Sequence, residues 1–333
     1  MSRDLLMRLQ GAQAFDPAPR QDELHLYHVP FDELIPGAAV EGSLTRAIRS
    51  SERVAIVGRG GQGKSSLIAY ATRPLAGIAP IRVPILAEPD ETVAEPKAFA
   101  QHFIRTLTTS ATQSGLISAE QREASLLASS DRVHILGEEV EHTRSAAEVI
   151  AAAADLVVAV ASRDVIPVVV LDDSDRWSPG SGTDKSPLIE AFFGRVIRIF
   201  ADFPGALVLA VHEDYVSVPA FQEAESFLET RIAIPRFDGH GEKALGRILE
   251  HRMRAQGVDV ALSEVFQRAA LTALADYYSI ADRNLRKVIW VTRSALRHAS
   301  AGRADMVTRR HVDSAVDEAR ISDRQPLSQL PRG

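Results

Sequence analysis

Residues 58–65 have the types and spacing needed to bind a phosphate group. They read GRGGQGKS and match the pattern G-x-x-x-x-G-K-[ST]. Glycines at this spacing let consecutive backbone N–H groups turn toward an anion, and Lys64 adds a positive charge for the β- and γ-phosphates of a nucleotide. Ser65 offers its hydroxyl to Mg²⁺. The alternative is a glycine-rich turn that fits the pattern by chance.

The flanking sequence favours the phosphate-binding interpretation of this loop. An apolar run at 53–57 leads in, and a helical pattern (KSSLIAYA) leads out and adds its N-terminal dipole. The residues predicted to bind the nucleotide are Gly58, Gly60, Gly61, Gln62, Gly63, Lys64, Ser65 and Ser66.

Paired carboxylates follow another apolar run, in VVVLDDSDRW at 168–177. Asp172 is predicted to hold Mg²⁺, directly or through water, because this ion takes oxygen ligands. Asp173 is predicted to orient or deprotonate an attacking water. A solvated acidic turn after a core strand is the alternative, and the phosphate loop upstream counts against it.

Polar and basic side chains at other strand and helix ends are further candidates. His212 and Glu213 follow the apolar run 206–211, at the end of the strand where ligands bind in open α/β sheets. One of these two side chains could contact the γ-phosphate or the attacking water. The alternative is that both simply face a loop, and the sequence supports the two interpretations equally. Arg231 begins the last predicted strand and Arg286 begins a helix; by themselves, such arginines are usually solvated.

The elements that must position these residues alternate between strands and helices. Apolar runs at 53–57, 81–86, 166–171, 206–211 and 231–234 predict strands. The third and fourth runs are apolar on both faces, as parallel strands covered by helices must be. Pro84 lacks a backbone N–H, so the second strand is expected at a sheet edge or at a bend. The pattern predicts an α/β fold with a doubly wound parallel sheet.

The same patterns predict a domain organisation. Residues 1–40 form a leader, 41–236 an α/β domain with a helical insert at about 91–162, 237–320 a small all-helical domain, and 321–333 a flexible tail. Asp238 and Asp282 are predicted to cap helices of the third segment, and one of its helices is expected at about 263–278.

Composition excludes several classes of protein. The 333-residue chain contains no cysteine, so disulfide frameworks and thiolate chemistry are ruled out, and its net charge of −6 argues against a protein that coats nucleic acid. No signal-peptide pattern is present at the N-terminus. The most apolar stretch, 146–162, is interrupted by Glu148 and Asp155 and predicts a buried helix, so we expect a cytoplasmic protein without a membrane segment.

Taken in order, these motifs resemble the AAA+ ATPase superfamily of P-loop NTPases. The segments ETRIAIPRFDGHGEKALGRILEHRMRAQG, ADRNLRKVIWVTRSALRHA and VTRRHVDSAVDEA are similar to the lid of the initiator clade, which includes origin-recognition ATPases and is related to transposition regulators. The resemblance implies an αβα sandwich with a five-stranded parallel sheet, followed by a helical lid. Initiators usually carry a winged-helix domain after the lid, and we expect none here because the chain ends soon after Ala319.

The resemblance also implies roles for the candidate residues. Lys64 and Ser65 would belong to the Walker A motif and Asp172 and Asp173 to the Walker B motif. His212 or Glu213 would stand at the sensor-1 position, where the family usually has Asn, Ser or Thr. Arg286 would be sensor 2, and Arg231 an arginine finger that acts on a neighbouring subunit. The usual catalytic acid is Glu, so the shorter Asp173 predicts slow turnover.

The function implied by the resemblance is ATP hydrolysis with Mg²⁺, in a homo-oligomer that holds nucleotide at subunit interfaces and controls an effector protein or a DNA-associated complex. One alternative is an ATP-gated scaffold or signalling switch that hydrolyses slowly or not at all. Another is an ATP-dependent DNA-binding regulator of the transposition, replication or phage-defence type, so nucleic acid is a second candidate partner.

Overall fold

A computed structural model of the protein describes residues 2–12, 14–20, 22–73, 78–84, 94–113, 115–129, 132–135, 138–141, 144–161, 166–172, 186–201 and 204–324. Its strands are β1 (Arg53–Val57), β2 (Ile78–Pro84), β3 (Arg132–Ile135), β4 (Glu138–Glu141), β5 (Ile166–Asp172), β6 (Ala206–Val211) and β7 (Thr230–Ala233). Four parallel pairings join five of them in the order β2-β5-β6-β1-β7. The predicted α/β fold class is confirmed.

The helices, in chain order, are α1 (Ser2–Gly11), α2 (Phe31–Leu34), α3 (Val40–Arg49), α4 (Lys64–Ala71), α5 (Pro96–Gln113), α6 (Ala119–Ala128), α7 (Ala146–Val160), α8 (Ser186–Ala191), α9 (Pro219–Glu225), α10 (Gly241–Ala255), α11 (Leu262–Val265), α12 (Arg268–Ile280), α13 (Leu285–Ala301) and α14 (Arg309–Arg324). Short 3₁₀ or π segments lie at Leu24–Tyr27, Phe192–Val196, Ile197–Phe200 and Glu213–Ser217.

The centre of the sheet is apolar on both faces, as the sequence predicts. Every residue of β6 is buried, and β5 is buried from its second residue onward. Phenylalanines of the surrounding helical segments pack in the same core: Phe99, Phe103, Phe192, Phe193, Phe200 and Phe221. Because β1 and β6 pair in parallel, with Val57 opposite Val211, the chain leaves both strands at the same edge of the sheet.

Strand β2 occupies one end of the strand order, which confirms the edge position predicted from Pro84. The strand begins three residues earlier than predicted and has Pro84 as its last residue, opposite Asp172. An edge strand tolerates a proline because one side of its backbone makes no ladder hydrogen bonds.

The segment between β2 and β5 combines helices with an antiparallel hairpin. Helices α6 and α7 each begin with a capping box, formed by Ser118 with Gln121 and by Ser145 with Glu148. Between them, β3 pairs with β4, with Val133 opposite Val140. The insert expected to be helical at about 91–162 therefore also contains a hairpin, whose two four-residue strands are too short to give a clear pattern in the sequence.

Helix α7 is the buried helix predicted for the most apolar stretch of the sequence. Its inward face consists of Val149, Ala153, Leu156, Val157 and Val160. Across the described residues, no helix has both the length and the apolar character that crossing a membrane requires.

The chain divides into two compact units that do not follow the order of the sequence. One unit contains Met1–Ala39, Gly61–Tyr70 and Pro235–Gly333, and the other contains Val40–Gly60 and Ala71–Ile234. In the first unit, the buried guanidinium of Arg252 donates to the carbonyl oxygens of Ala14 (3.0 Å) and Asp16 and lies over the ring of Tyr27. Burial lowers the pKa of Arg252 to about 10. Contacts of a buried polar side chain such as Arg252 cannot be predicted from the periodicity of apolar residues.

Two predicted helix caps are wrong. Helix α10 begins at Gly241 without a side-chain cap, and Asp238 instead forms an ion pair of 2.7 Å with Arg283. Helix α13 is capped by Asn284, because Asp282 lies in a left-handed turn two residues earlier. The helix expected at about 263–278 is divided into α11 and α12.

Candidate functional site

The loop after β1 adopts a conformation that only glycine takes easily at two positions. Gly61 has φ of 75° and Gly63 has φ of 100°, both in the left-handed region. At the start of the loop, the N–H of Gly58 donates to the carbonyl oxygen of Val211 at 3.1 Å. At its end, the carbonyl oxygen of Gly63 accepts from the N–H of Leu67 at 2.9 Å, as α4 begins. Strand, loop and helix follow one another as the motif predicts.

Lys64 is the first residue of α4 and is almost fully buried, with 4% of its surface exposed. A lysine is rarely buried without a charge-related purpose. The neighbouring Gln62 is buried as well, and Ser65 is half-buried. Backbone freedom at two glycines, a helix N-terminus and a lysine at its first position together fit a polyphosphate group.

Ser66 is tied to the N-terminal part of its own unit. Its hydroxyl lies 3.1 Å from Nδ1 of His28, a buried side chain whose ring packs against Tyr70 with centroids 4.7 Å apart. Phe31 also approaches the loop, 3.9 Å from the position that a Cβ on Gly63 would take. The hydroxyl of Ser66, one of the residues predicted to bind the nucleotide, therefore lies beside the side chain of His28.

Asp172 is the last residue of β5 and is 5% exposed. A buried carboxylate at the end of a central parallel strand fits the donor chemistry of a Mg²⁺ site. Asp173 lies outside the described residues.

His212 and Glu213, the two candidates after β6, both have contacts within their own unit. Nδ1 of His212 accepts from the N–H of Asp214 at 3.3 Å and so caps the short helix Glu213–Ser217. The carboxylate of Glu213 forms an ion pair with Arg59, the second residue of the phosphate loop. The structure therefore gives His212 a capping role and gives Glu213 a charged partner.

The two candidate arginines differ in their surroundings. Arg231 lies on β7, is 47% exposed at its side chain, and forms an ion pair of 2.8 Å with Glu225. Arg286 is exposed at the second position of α13 and has no ion pair with a described acidic side chain. Both are accessible to a charged group.

Sequence reasoning missed three residues in or beside the phosphate loop. They are Arg59, His28 and Asn284, whose carboxamide lies against Gly61. Arg59 stands inside the motif at a position that the pattern leaves open. His28 and Asn284 are distant along the chain, so local spacing carries no signal for them.

Comparisons with known proteins agree with the fold. No protein-family model matches the sequence, and a search of curated proteins found no match. The ORC2 protein of Aeropyrum pernix, in ADPNP-ADP complexes, is similar with a TM-score of 0.54 and 16% identity over 92% of this chain and 74% of its own. The ORC1 protein of Aeropyrum pernix, in complex with DNA, has a TM-score of 0.51 and 16% identity over 89% and 72%.

The chain has the fold of these two ORC proteins. The resemblance to the initiator clade is thus supported by structures as well as by motifs. At 16% identity this similarity shows the fold alone.

Proposed function

We propose that the chain is an AAA+ ATPase that binds and hydrolyses ATP with Mg²⁺ and uses nucleotide-dependent self-assembly to control a partner protein or a DNA-associated complex. The observation that carries this proposal is the loop after β1, in which left-handed glycines precede a buried lysine at the start of α4. Such a loop surrounds phosphates with backbone N–H groups, and the lysine balances their charge.

Four of the candidate residues have a defined task in this proposal. Lys64 would neutralise the β- and γ-phosphates, and Ser65 and Asp172 would supply oxygen ligands to Mg²⁺. The bound metal would offset negative charge on the phosphates. Asp173 would orient a water and accept its proton as that water adds to the γ-phosphorus. The bond to the β-phosphate oxygen then breaks, and ADP and inorganic phosphate are released.

A slow, ATP-gated switch is the second candidate, and the turn after β6 favours it. The imidazole of His212 caps a helix through Nδ1 and the carboxylate of Glu213 pairs with Arg59, so both side chains already have structural partners. Loose positioning of the water lowers the hydrolysis rate without weakening ATP binding. The switch would then act through its bound state.

We propose that Arg231 acts between subunits and contacts the nucleotide bound to a neighbouring subunit. Its guanidinium is accessible, and its pairing with Glu225 is of the solvent-exposed kind that another anion can replace at small cost. An arginine supplied by a neighbour stabilises transition-state charge and raises phosphoryl-transfer rates by about 10³–10⁵.

DNA is the partner class that the structural comparison raises. The A. pernix ORC1 protein was solved in complex with DNA. We propose a DNA-associated role for this chain with an effector protein as the second partner, although the net charge of −6 requires any DNA contact to be local. Retention on DNA that needs ATP and falls steeply with added salt supports the role; binding independent of nucleotide opposes it.

The decisive experiment measures ATP binding and phosphate release for the wild-type chain and for Lys64→Ala. We expect micromolar binding and slow hydrolysis in the wild type, with both reduced at least about 100-fold in the variant, because the lysine contacts the phosphates. Lys243→Ala, which removes an exposed lysine of α10, is the matched control and should behave as wild type. Wild-type protein that does not bind ATP refutes the proposal; binding without hydrolysis selects the switch.

Assembly is tested by the molar mass in solution with and without a non-hydrolysable ATP analogue. We expect the analogue to increase the mass, and Arg231→Ala to lose hydrolysis while it keeps ATP binding. Arg198→Ala is the control, since Arg198 is also exposed and paired with a glutamate, Glu223, at 3.7 Å. Equal hydrolysis by Arg231→Ala and Arg198→Ala would remove Arg231 from the mechanism.

A further inference from the structure

The residues that begin α13 contact the phosphate loop directly. The N–H of Leu285 donates to the carbonyl oxygen of Gly61 at 3.0 Å. The side chain of Asn284 fills the space beside Gly61, so that a Cβ built on this glycine would lie 2.6 Å from Cγ of Asn284. Gly61 therefore has to be glycine for two independent reasons, its left-handed backbone and the carboxamide against it.

Asn284 has a second task at the same place. Its Oδ1 accepts from the N–H of Lys287 at 3.0 Å, which makes it the N-cap of α13. One carboxamide thus touches the phosphate loop and fixes the first turn of the helix. It belongs to the single asparagine in the sequence.

The chain that leads into Asn284 is held in an uncommon conformation. Asp282 and Arg283 have φ of 52° and 58°, and two consecutive left-handed residues other than glycine persist only where other contacts hold them. Here the N–H of Arg283 donates to the carbonyl oxygen of Tyr278 at 3.0 Å, and its guanidinium pairs with Asp238 at 2.7 Å. The position of Asn284 is therefore also set by the contacts of the residue that precedes it.

We propose that Asn284 is a positioning residue for the phosphate loop, which couples the left-handed conformation of Gly61 to the first turn of α13. The inference rests on the proposed function, because it assumes that the loop binds ATP. In the wild-type chain, phosphate binding at the loop would affect α13 directly, through the contacts of Gly61 with Asn284 and Leu285. Asn284 acts through Gly61 and needs no contact with the nucleotide.

The first test uses the wild-type chain labelled with ¹⁵N at asparagine alone, which marks one backbone amide and one side-chain carboxamide. We expect both to shift when ATP is added, and to stay unchanged for Lys64→Ala. Calorimetry on the same sample separates the two proposals: a chain that does not bind ATP refutes the proposed function, whereas ATP binding without a shift at Asn284 overturns this inference alone.

The second test is a double-mutant cycle on ATP affinity in the full chain. Gly61→Ala should weaken binding at least about 30-fold in the wild-type background, since strain and overlap add, but only about fivefold in the Asn284→Ala background, where strain alone is left. Gly63→Ala is the matched control: this glycine is also left-handed, and the atom nearest to its Cβ position is Cζ of Phe31 at 3.9 Å. Its effect of about fivefold should be equal in both backgrounds.

Equal effects of Gly61→Ala in the two backgrounds contradict the coupling. A variant with the helix cap preserved separates positioning from stability. Asn284→Asp keeps the shape and the cap acceptor, so the thermal midpoint should not fall. Its carboxylate beside Gly61 should weaken ATP binding about tenfold by repulsion of the phosphates. Unchanged ATP affinity in both Asn284→Asp and Asn284→Ala would reduce the residue to a helix cap and overturn the proposal.

Discussion

Two turns that leave the same edge of the sheet differ in how their polar groups are used. After β1, the glycines of the phosphate loop open the backbone and Lys64 is buried at the start of a helix. After β6, the side chains of His212 and Glu213 are engaged by Asp214 and Arg59. The first turn is organised to receive an anion, whereas the second is organised by its own hydrogen bonds. This difference predicts a protein that binds nucleotide more reliably than it hydrolyses it.

The largest expected effect comes from Asp172, at the end of the strand next to β6 in the sheet. Asp172→Asn should reduce hydrolysis at least about 100-fold, since a neutral amide is a weaker ligand of the divalent ion that offsets phosphate charge. ATP binding in the presence of a chelator should be unchanged. Asp155→Asn, on an exposed face of α7, is the control. Hydrolysis that survives in Asp172→Asn would place the metal elsewhere.

An intermediate effect is expected from the ion pair between Arg59 and Glu213, which joins the two turns. Glu213→Gln removes a negative charge next to Arg59 and should raise ATP affinity a few-fold, whereas Arg59→Gln should lower it by a similar factor. Thermal midpoints should hardly change, because a half-exposed ion pair adds only about 0–1 kcal/mol to the free energy of unfolding.

Glu223→Gln, which removes the partner of Arg198, is the control for this pair of variants. Changes of the same sign in Glu213→Gln and Arg59→Gln would show that the ion pair acts through structure and not through charge at the loop.

The smallest effect is acid destabilisation from groups that belong to neither turn. Burial, together with the charges of His298 and Arg310, lowers the pKa of His311 below 6.5. Burial raises the pKa of Glu318, but hydrogen bonds from Ser294 and Arg297 outweigh it and leave the net value below 4.5. The stability due to His311 is therefore complete above pH 6.5 and lost below it, and that due to Glu318 is lost below pH 4.5.

Thermal denaturation between pH 8 and pH 4 measures this acid response. We expect each group to lower the midpoint on acidification, with the decrease below pH 6.5 smaller in His311→Gln and the decrease below pH 4.5 smaller in Glu318→Gln. A midpoint that rises on acidification would contradict both assignments. Variants of the two turns should therefore be compared at pH 7 and above, where the acid destabilisation due to His311 and Glu318 is absent.

Prediction from the sequence succeeded where a short segment determines its own structure. Strands β1 and β6 have the predicted boundaries, and the phosphate loop lies between a strand and a helix as predicted. Glycine placement and continuous apolar runs determine local structure over a few residues, so a short stretch of sequence is enough to predict it. The edge position of Pro84 followed from a missing backbone donor. The hairpin of β3 and β4 was missed, since its two four-residue strands are too short to give a clear pattern.

The sequence by itself determined the α/β class, the phosphate loop and the identity of its lysine. Only the tertiary structure decided which distant residues surround that loop. Asn284 contacts Gly61 and His28 contacts Ser66, each from more than 30 residues away along the chain. A local sequence pattern cannot predict contacts over such a separation. Likewise, Arg59 meets Glu213 because β1 and β6 are neighbours in the sheet. Backbone conformation is a local property, whereas the partners of a polar side chain depend on how segments far apart in sequence pack.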